Sequence, residues 1–294
     1  MWFLFALASA FLYAFRGILE KTAVTHINKY VLGLGIRLFA LPFFIIPFLI
    51  QPELFIPPQD LPGSFWIAVL FVSIIGTPLE TIFYYEAIKK EELSLALPIL
   101  SLSPVLTIGF AALVFGELPS LLGAIGIVVI LLGVYALKIS HAREGLLEPL
   151  KHLAKSRGVQ FMAIVACSLA LGSIFDKMGV KASNVYMYAL FNYASVSISL
   201  WLFAHKKAPH HLHQLGKNAG LFIRIGLIVA GYTLLYLLAL NEGPTAYVVA
   251  IRNASVLLTI VLGVLLFKER DLVTKIIAGA LIFAGLVLIK VFSS

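Results

Sequence analysis

The sequence predicts an all-α integral membrane protein, with ten transmembrane helices arranged as two inverted five-helix repeats. Three observations carry this expectation. Of the 294 residues, 61% are apolar and 12% charged, whereas a soluble domain holds roughly 45–50% apolar and about 25% charged residues. Apolar segments long enough to cross a bilayer follow one another along nearly the whole chain. The back half of the chain also repeats the front half.

A span needs about 20 mostly apolar residues to cross about 30 Å of hydrocarbon. Ten segments qualify: 2–19, 30–51, 64–88, 93–116, 119–138, 158–176, 184–205, 219–241, 244–267 and 272–292. The first lacks a basic leading region and is expected to be a retained span. Lys and Arg gather in the loops of one side, among them Lys89, Lys90, Arg143, Lys151, Lys155, Arg157, Lys206, Lys207 and Arg270. That side is expected to be cytoplasmic, with the protein multi-pass in the plasma (inner) membrane. The loops 139–157 and 205–218 are then cytoplasmic, and ten spans leave both termini outside. Leu146, Leu147, Leu150 and Leu153 fall at helical spacing among basic residues in 139–157. They fit either an amphipathic segment on the leaflet or a solvated basic linker.

The repeat emerges on shifting the sequence against itself. A shift of 152 aligns 84–139 with 236–291, matching Tyr84/Tyr236, Ser103/Ser255, Thr107/Thr259, Glu117/Glu269, Gly133/Gly285 and Lys138/Lys290. A shift of 156 aligns the fronts, where Glu20, Lys21, Asn28 and Tyr30 meet Asp176, Lys177, Asn184 and Tyr186. The expected organisation is a first repeat over 1–138, a linker over 139–157 and a second repeat over 158–294. Five spans per repeat force opposite orientations, a plan that recurs in secondary transporters. Lys89-Lys90 meeting Asn241-Glu242 fits the loss of cations from an outward copy.

Several functions are disfavoured. The net charge is +8, but the cations lie between apolar blocks, unlike the clustered face of a nucleic-acid binder. Cys167 is the single cysteine, so neither an internal disulfide nor a multi-cysteine metal site can form. The histidines of 205–213 form a loop cluster and are expected to be solvated, with no metal site. No P-loop, no zinc-binding His-Glu-x-x-His and no intramembrane aspartate pair occurs. No enzyme activity and no cofactor are expected.

The most specific sequence features are Tyr85-Glu86-Ala87-Ile88, Leu97-Pro98 through Ser103-Pro104-Val105, Gly116-Glu117-Leu118 and Gly126 to Gly133. Looser counterparts follow in Ala239-Leu240, Phe267-Lys268-Glu269 and Gly285, with Ala250 and Val256 where the prolines would fall. On these the chain resembles the drug/metabolite transporter superfamily, specifically its EamA-type ten-span members, over essentially its whole length. The resemblance implies transport of small polar or amphipathic metabolites without ATP hydrolysis. Many members keep their termini in the cytoplasm, against the orientation that the charges of this chain give.

Ionisable groups inside a bilayer need a partner or a hydrated cavity. A rise of about 1.5 Å per residue places Arg37 about 10 Å and Glu80 about 12 Å from the cytoplasmic ends of their spans. They are candidate ion-pair partners, serving as a fixed bridge or as a proton-coupled switch. Arg16 and Glu86, near the inner interface, are candidate gating residues that could pair. Arg252 lies about 12 Å deep from the outer side, with no acid expected at its level. It is a candidate site for a substrate carboxylate or phosphate, or else a partner of backbone carbonyls or Glu242. Asn253, Asn192 and Tyr193 are expected near it. Pro98 and Pro104, with Ser101 and Ser103, break the fourth span and free backbone carbonyls, for a ligand or as a packing kink. Gly226-xxx-Ala230 and Gly123-xx-Gly126 are expected to let helices approach closely.

Together these features predict a secondary transporter of a small polar, anion-bearing solute such as an amino acid. It would alternate access around a cavity walled by the second to fourth and seventh to ninth spans. The expected partners are the substrate, the lipid bilayer and protons as coupling ion. A homodimer is among the oligomeric states left open. Efflux of amphipathic or cationic compounds, with Glu80 or Glu86 as acidic determinant, is the alternative. A non-transporting receptor or assembly protein is the rival from another class.

Overall fold

The computed structural model describes residues 1–23, 26–90, 97–139, 156–255 and 272–292. Among them all regular structure is helical. In order these are α1 (Trp2–Ala23), α2 (Lys29–Leu38), α3 (Leu41–Ile50), α4 (Gly63–Leu70), α5 (Thr77–Lys90), α6 (Ser103–Phe115) and α7 (Leu121–Ile139). The second half supplies α8 (Arg157–Lys181), α9 (Val185–Lys207), the short α10 (Gln214–Lys217), α11 (Ala219–Glu242), α12 (Thr245–Asn253) and α13 (Leu272–Phe292). Among the described residues, five segments are long and apolar enough to cross a membrane: Tyr30–Ile50, Gly63–Glu80, Arg157–Lys181, Val185–Lys207 and Ala219–Glu242. Shorter apolar helices cover Trp2–Arg16, Ile99–Phe115, Leu121–Ala136 and Ile277–Phe292. Each expected span except the ninth overlaps one of these; the third, 64–88, runs past Glu80, and four spans overlap only the shorter helices. The ninth, 244–267, is described through Ser255. Most of the 139–157 linker and the Phe267-Lys268-Glu269 motif lie outside the described residues.

Among the described residues, the second, third and fourth expected spans are among those that are not uninterrupted α-helices. The second breaks at Phe39–Ala40, between α2 and α3. Pro42 has no N–H to offer the Leu38 carbonyl, and the break sets it in the first turn of α3, where that loss costs no helical hydrogen bond. The third carries a π-helical turn, Phe71–Gly76, in which the Thr77 N–H reaches back to the Val72 carbonyl. This wider turn comes immediately before Pro78, whose ring a regular α-helix would press against the preceding turn. The fourth starts as a 3-10 segment, Leu97–Leu102, and becomes α-helical at Ser103. Pro104 therefore sits in the first turn of α6, where a missing N–H costs no helical hydrogen bond. Pro98 falls in the 3-10 segment. α6 ends at Gly116, whose φ of 68° is the left-handed conformation that glycine adopts without strain.

The described chain forms two compact units, and each draws on both sequence halves. The first comprises Met1–Pro78 with Phe175–Glu242, the second Leu79–Ile174 with Gly243–Ser294. In the first unit α1 packs along α11, and α9 lies against α2, α3 and α4. Leu34 of α2 packs with Val196, Leu200 and Ala204 of α9, while Phe44 of α3 meets Tyr193 of α9 at 4.7 Å between rings. The index falls on one helix as it rises on the other, so α9 runs antiparallel to the second span. Gly226 brings α11 against the α2–α3 break, where an added Cβ would stand 2.6 Å from the Phe39 carbonyl oxygen. The matched pair Asn28/Asn184 has one task in both repeats. Asn28 accepts from the Tyr30 N–H, and Asn184 from the N–H groups of Tyr186 and Met187, capping α2 and α9.

The second unit is organised by a seam between α7 and α13. A Cβ added at Gly285 would lie 2.6 Å from both the Gly126 carbonyl oxygen and Ile130 Cγ1. One added at Gly133 would lie 2.7 Å from Ile282 Cγ1 and 2.9 Å from the Ala278 carbonyl oxygen. Under the 152-residue shift, Gly126 corresponds to Ala278, Ile130 to Ile282 and Gly133 to Gly285. Replacing each residue by its repeat mate turns the first set of contacts into the second. Rising numbers on α7 meet falling numbers on α13, so these two repeat mates pack antiparallel. Elsewhere in the unit α12 packs on α6 and α7, and Ala87, Ile99, Val159, Met162 and Val165 form a buried cluster.

Candidate functional site

The first unit holds a polar cluster on α1, α9 and α11. The Arg16 side chain forms an ion pair with Glu20, one turn further along α1. Its other arm donates to the Tyr232 hydroxyl at 2.9 Å. Arg16 also lies 5.5 Å from the ring centroids of both Tyr13 and Tyr232, which themselves meet edge to face. Arg16 therefore finds its carboxylate on its own helix, and its expected partner Glu86 belongs to the other unit. The reason is local: four residues on a helix bring the two side chains to one face at no cost in long-range order. On α9, Tyr193 shares a 2.7 Å hydrogen bond with Thr233. Tyr232, next to Thr233 on α11, joins this pair to the Arg16 side chain. Arg37 donates to the Gly33 carbonyl at 3.5 Å.

Asn192 precedes Tyr193 but takes part in a different chain. Its amide donates to the Tyr188 hydroxyl at 2.8 Å, and that hydroxyl donates to Asp176 at 2.8 Å. Consecutive helical residues point about 100° apart, so the two residues expected to act together serve separate networks. Asp176 thus holds a tyrosine where its repeat mate Glu20 holds an arginine.

In the second unit Asn253 donates to Ser103 Oγ at 3.4 Å, bringing together two residues expected at the site. Thr107 anchors back on the Ser103 carbonyl at 2.8 Å. Ser101 and Ser103 are buried, while Arg252 is half-buried and engaged within the protein. Glu80 accepts from Ser168 at 3.5 Å, and Glu86 is also engaged. Glu117 takes the N-terminus of α12, accepting from the Thr245 N–H at 2.8 Å and its hydroxyl at 2.9 Å. Among the described residues no three of His, Cys, Asp and Glu stand together as a metal site.

The sequence reading missed Thr233, Ser168 and the cap made by Glu117, and it expected Tyr232 only as one of several tyrosines lending hydroxyls and ring faces to the cavity or the interface. A signal was available. Extended past the aligned segments, the 156-residue shift pairs Arg37 with Tyr193 and the 152-residue shift pairs Glu80 with Tyr232. These four are chemically different residues at equivalent places, invisible to a count of identities. The mate of Arg16 is Gly172, where an added Cβ would lie 4.0 Å from a Glu80 carboxylate oxygen.

Apolar helices of membrane-crossing length, with polar side chains paired among them, define a multi-pass helical membrane protein. The model of the EamA-like transporter family matches residues 1–138 and 156–291, and the chain belongs to that family. No curated protein matches it. Among solved structures, a chain described as "Crystal structure of protein" superposes with a TM-score of 0.78 at 17% identity, covering 99% of this chain and 97% of its own. That likeness concerns the fold.

Proposed function

We propose that the protein is a secondary transporter that moves a small polar, anion-bearing solute by alternating access between two inverted repeats, without catalysis. The observation that carries this reading is the α7–α13 seam, whose contacts repeat under exchange of mates with the helices antiparallel. Such a relation supports a chain that presents equivalent elements to both sides of the membrane. In this reading Arg252, beside Asn253 and its Ser103 partner, takes the substrate's carboxylate or phosphate through a planar guanidinium fork. Glu80, held by Ser168, exchanges a proton during the cycle, with Arg37 and the Arg16 pair as coupling and gating elements. The basic loops face the cytoplasm, and the membrane is the plasma membrane.

Counterflow in proteoliposomes tests the proposal, with amino acids, organic acids, phosphorylated sugars and lipophilic cations as solutes. Exchange of an anion-bearing solute that disappears in Arg252→Ala is the expected result. Exchange of cations that this substitution leaves untouched would favour efflux of cationic compounds. Glu80→Gln should keep exchange and lose pH-driven accumulation; accumulation against a gradient in that variant would overturn the coupling role.

A further inference from the structure

We infer that the folded loop between α9 and α11 is a docking surface for acidic phospholipid headgroups, carried by Lys206, Lys207, Lys217 and Arg224 and by the histidines of 205–213. The surface meets the bilayer and not the transported solute, so its test is independent of the transport reading.

Helix length sets the level of the loop. α9 has 23 residues and α11 has 24, about 35 Å each at about 1.5 Å per residue, against about 30 Å of hydrocarbon. The end of α9 and the start of α11 therefore emerge at headgroup level, with 208–218 between them. Large apolar side chains stand exposed just below, Ile198, Trp201 and Leu202 on α9 and Ile223 and Leu227 on α11. Trp201 stacks on His205 with 5.4 Å between ring centroids, as suits an indole at a membrane interface. Above them Lys206, Lys207 and Lys217 are exposed. Arg224, also exposed, bends back along α11 to donate from Nε to the Gly220 carbonyl at 3.2 Å, which turns its head toward the loop.

The loop has a fixed shape. Ala208 is buried, and Leu212 and Leu215 pack on Leu34, Val196, Leu200 and Ala204 of α2 and α9. Gln214 accepts from the Asn28 N–H at 2.9 Å, and His213 Nδ1 donates to the His210 carbonyl at 2.9 Å. With its apolar side chains turned inward, the loop presents His210, His211, His213 and Lys217 outward. Such pre-organisation lowers the entropy cost of meeting a ligand.

Among the described residues of the first unit, no acid answers these cations. The sequence holds no Asp or Glu from 177 to 241. Glu53 and Asp60 lie in the α3–α4 connection, which the Asn184 amide ties to the start of α9 through the Leu54 carbonyl. Asp176 accepts from Tyr188 near that same start, and Glu242 closes α11 at its far end. Glu20 is paired with Arg16. The counter-charge at headgroup level is then the lipid phosphate, and each basic side chain beside an anionic leaflet strengthens association about fivefold. An imidazole N–H is a further donor to the same oxyanion.

The test titrates the full-length protein, purified in dodecyl maltoside, with dioleoylphosphatidylglycerol and follows its unfolding midpoint. Dioleoylphosphatidylcholine, inorganic phosphate and polyglutamate are the comparisons. A saturable rise with phosphatidylglycerol alone is expected, with apparent affinity weaker by about fivefold in Lys207→Gln and by more than about tenfold in Lys206→Gln/Lys207→Gln/Lys217→Gln. Lys181→Gln, which removes one exposed cation near the other end of α9, should leave the affinity unchanged. If the triple variant fails to fold, Lys207→Gln against Lys181→Gln carries the comparison. Equal loss in those two would reduce the effect to net charge and overturn the surface. So would no response to phosphatidylglycerol, or a rise given equally by phosphatidylcholine, by free phosphate or by polyglutamate, the last two assigning the cations to a soluble anion or an acidic protein.

Discussion

The α7–α13 seam of the second unit and the Arg16–Tyr232 cluster of the first hold helices together by opposite means. At the seam glycines let backbone meet backbone, with Ile130 and Ile282 fully buried beside them. Lipid tails are as apolar as leucine, so such a seam relies on close van der Waals fit. In the cluster a guanidinium, a carboxylate and phenols replace the water that the bilayer withholds. The difference teaches where the protein can afford polarity. The close contacts of the seam come from glycine, alanine and isoleucine, whereas the cluster is held by side chains that donate and accept hydrogen bonds.

Gly285→Leu should break the comparison most sharply. Overpacking against a backbone that cannot move aside is expected to cost about 3 kcal/mol, measured as a fall in unfolding midpoint and in monodisperse yield. Arg16→Met comes next, because it strips Glu20 and Tyr232 of one donor. Hydrogen bonds to charged groups suggest a loss of about 2 kcal/mol, and Arg16→Met with Glu20→Gln should recover part of it in a double-mutant cycle. Glu117→Ala tests a polar clamp within the second unit and should cost about 1 kcal/mol, the scale of an N-cap. Thr233→Val is the smallest change, near 0.6 kcal/mol, the average for hydrogen bonds between membrane helices. A Thr233 effect exceeding that of Gly285 would invert the roles assigned to the two regions.

Much of this fold was legible in the sequence because its causes are periodic or local. Apolar runs marked the helices, and the matched asparagines Asn28 and Asn184 became matched caps. The glycines Gly126, Gly133, Gly226 and Gly285 became close contacts. The Arg16–Glu20 spacing could have announced their pair, a local signal passed over in favour of Glu86. The networks of Asn192 and Tyr193 were less accessible. Adjacent residues diverge by a rotation that only the packing of α9 turns into different neighbours. Arg252 was singled out on an expected lack of acidic company, yet depth along a span says nothing about which way a side chain turns or what engages it.

The exchange of contacts across α7 and α13 has an implication in the vocabulary of oligomers. A patch that meets a copy of itself through a two-fold is isologous, the contact of a homodimer. Here both copies lie on one polypeptide. Covalent linkage turns the second encounter into an intramolecular one, so the contact forms at an effective concentration set by the chain, whatever the abundance of the protein in its membrane.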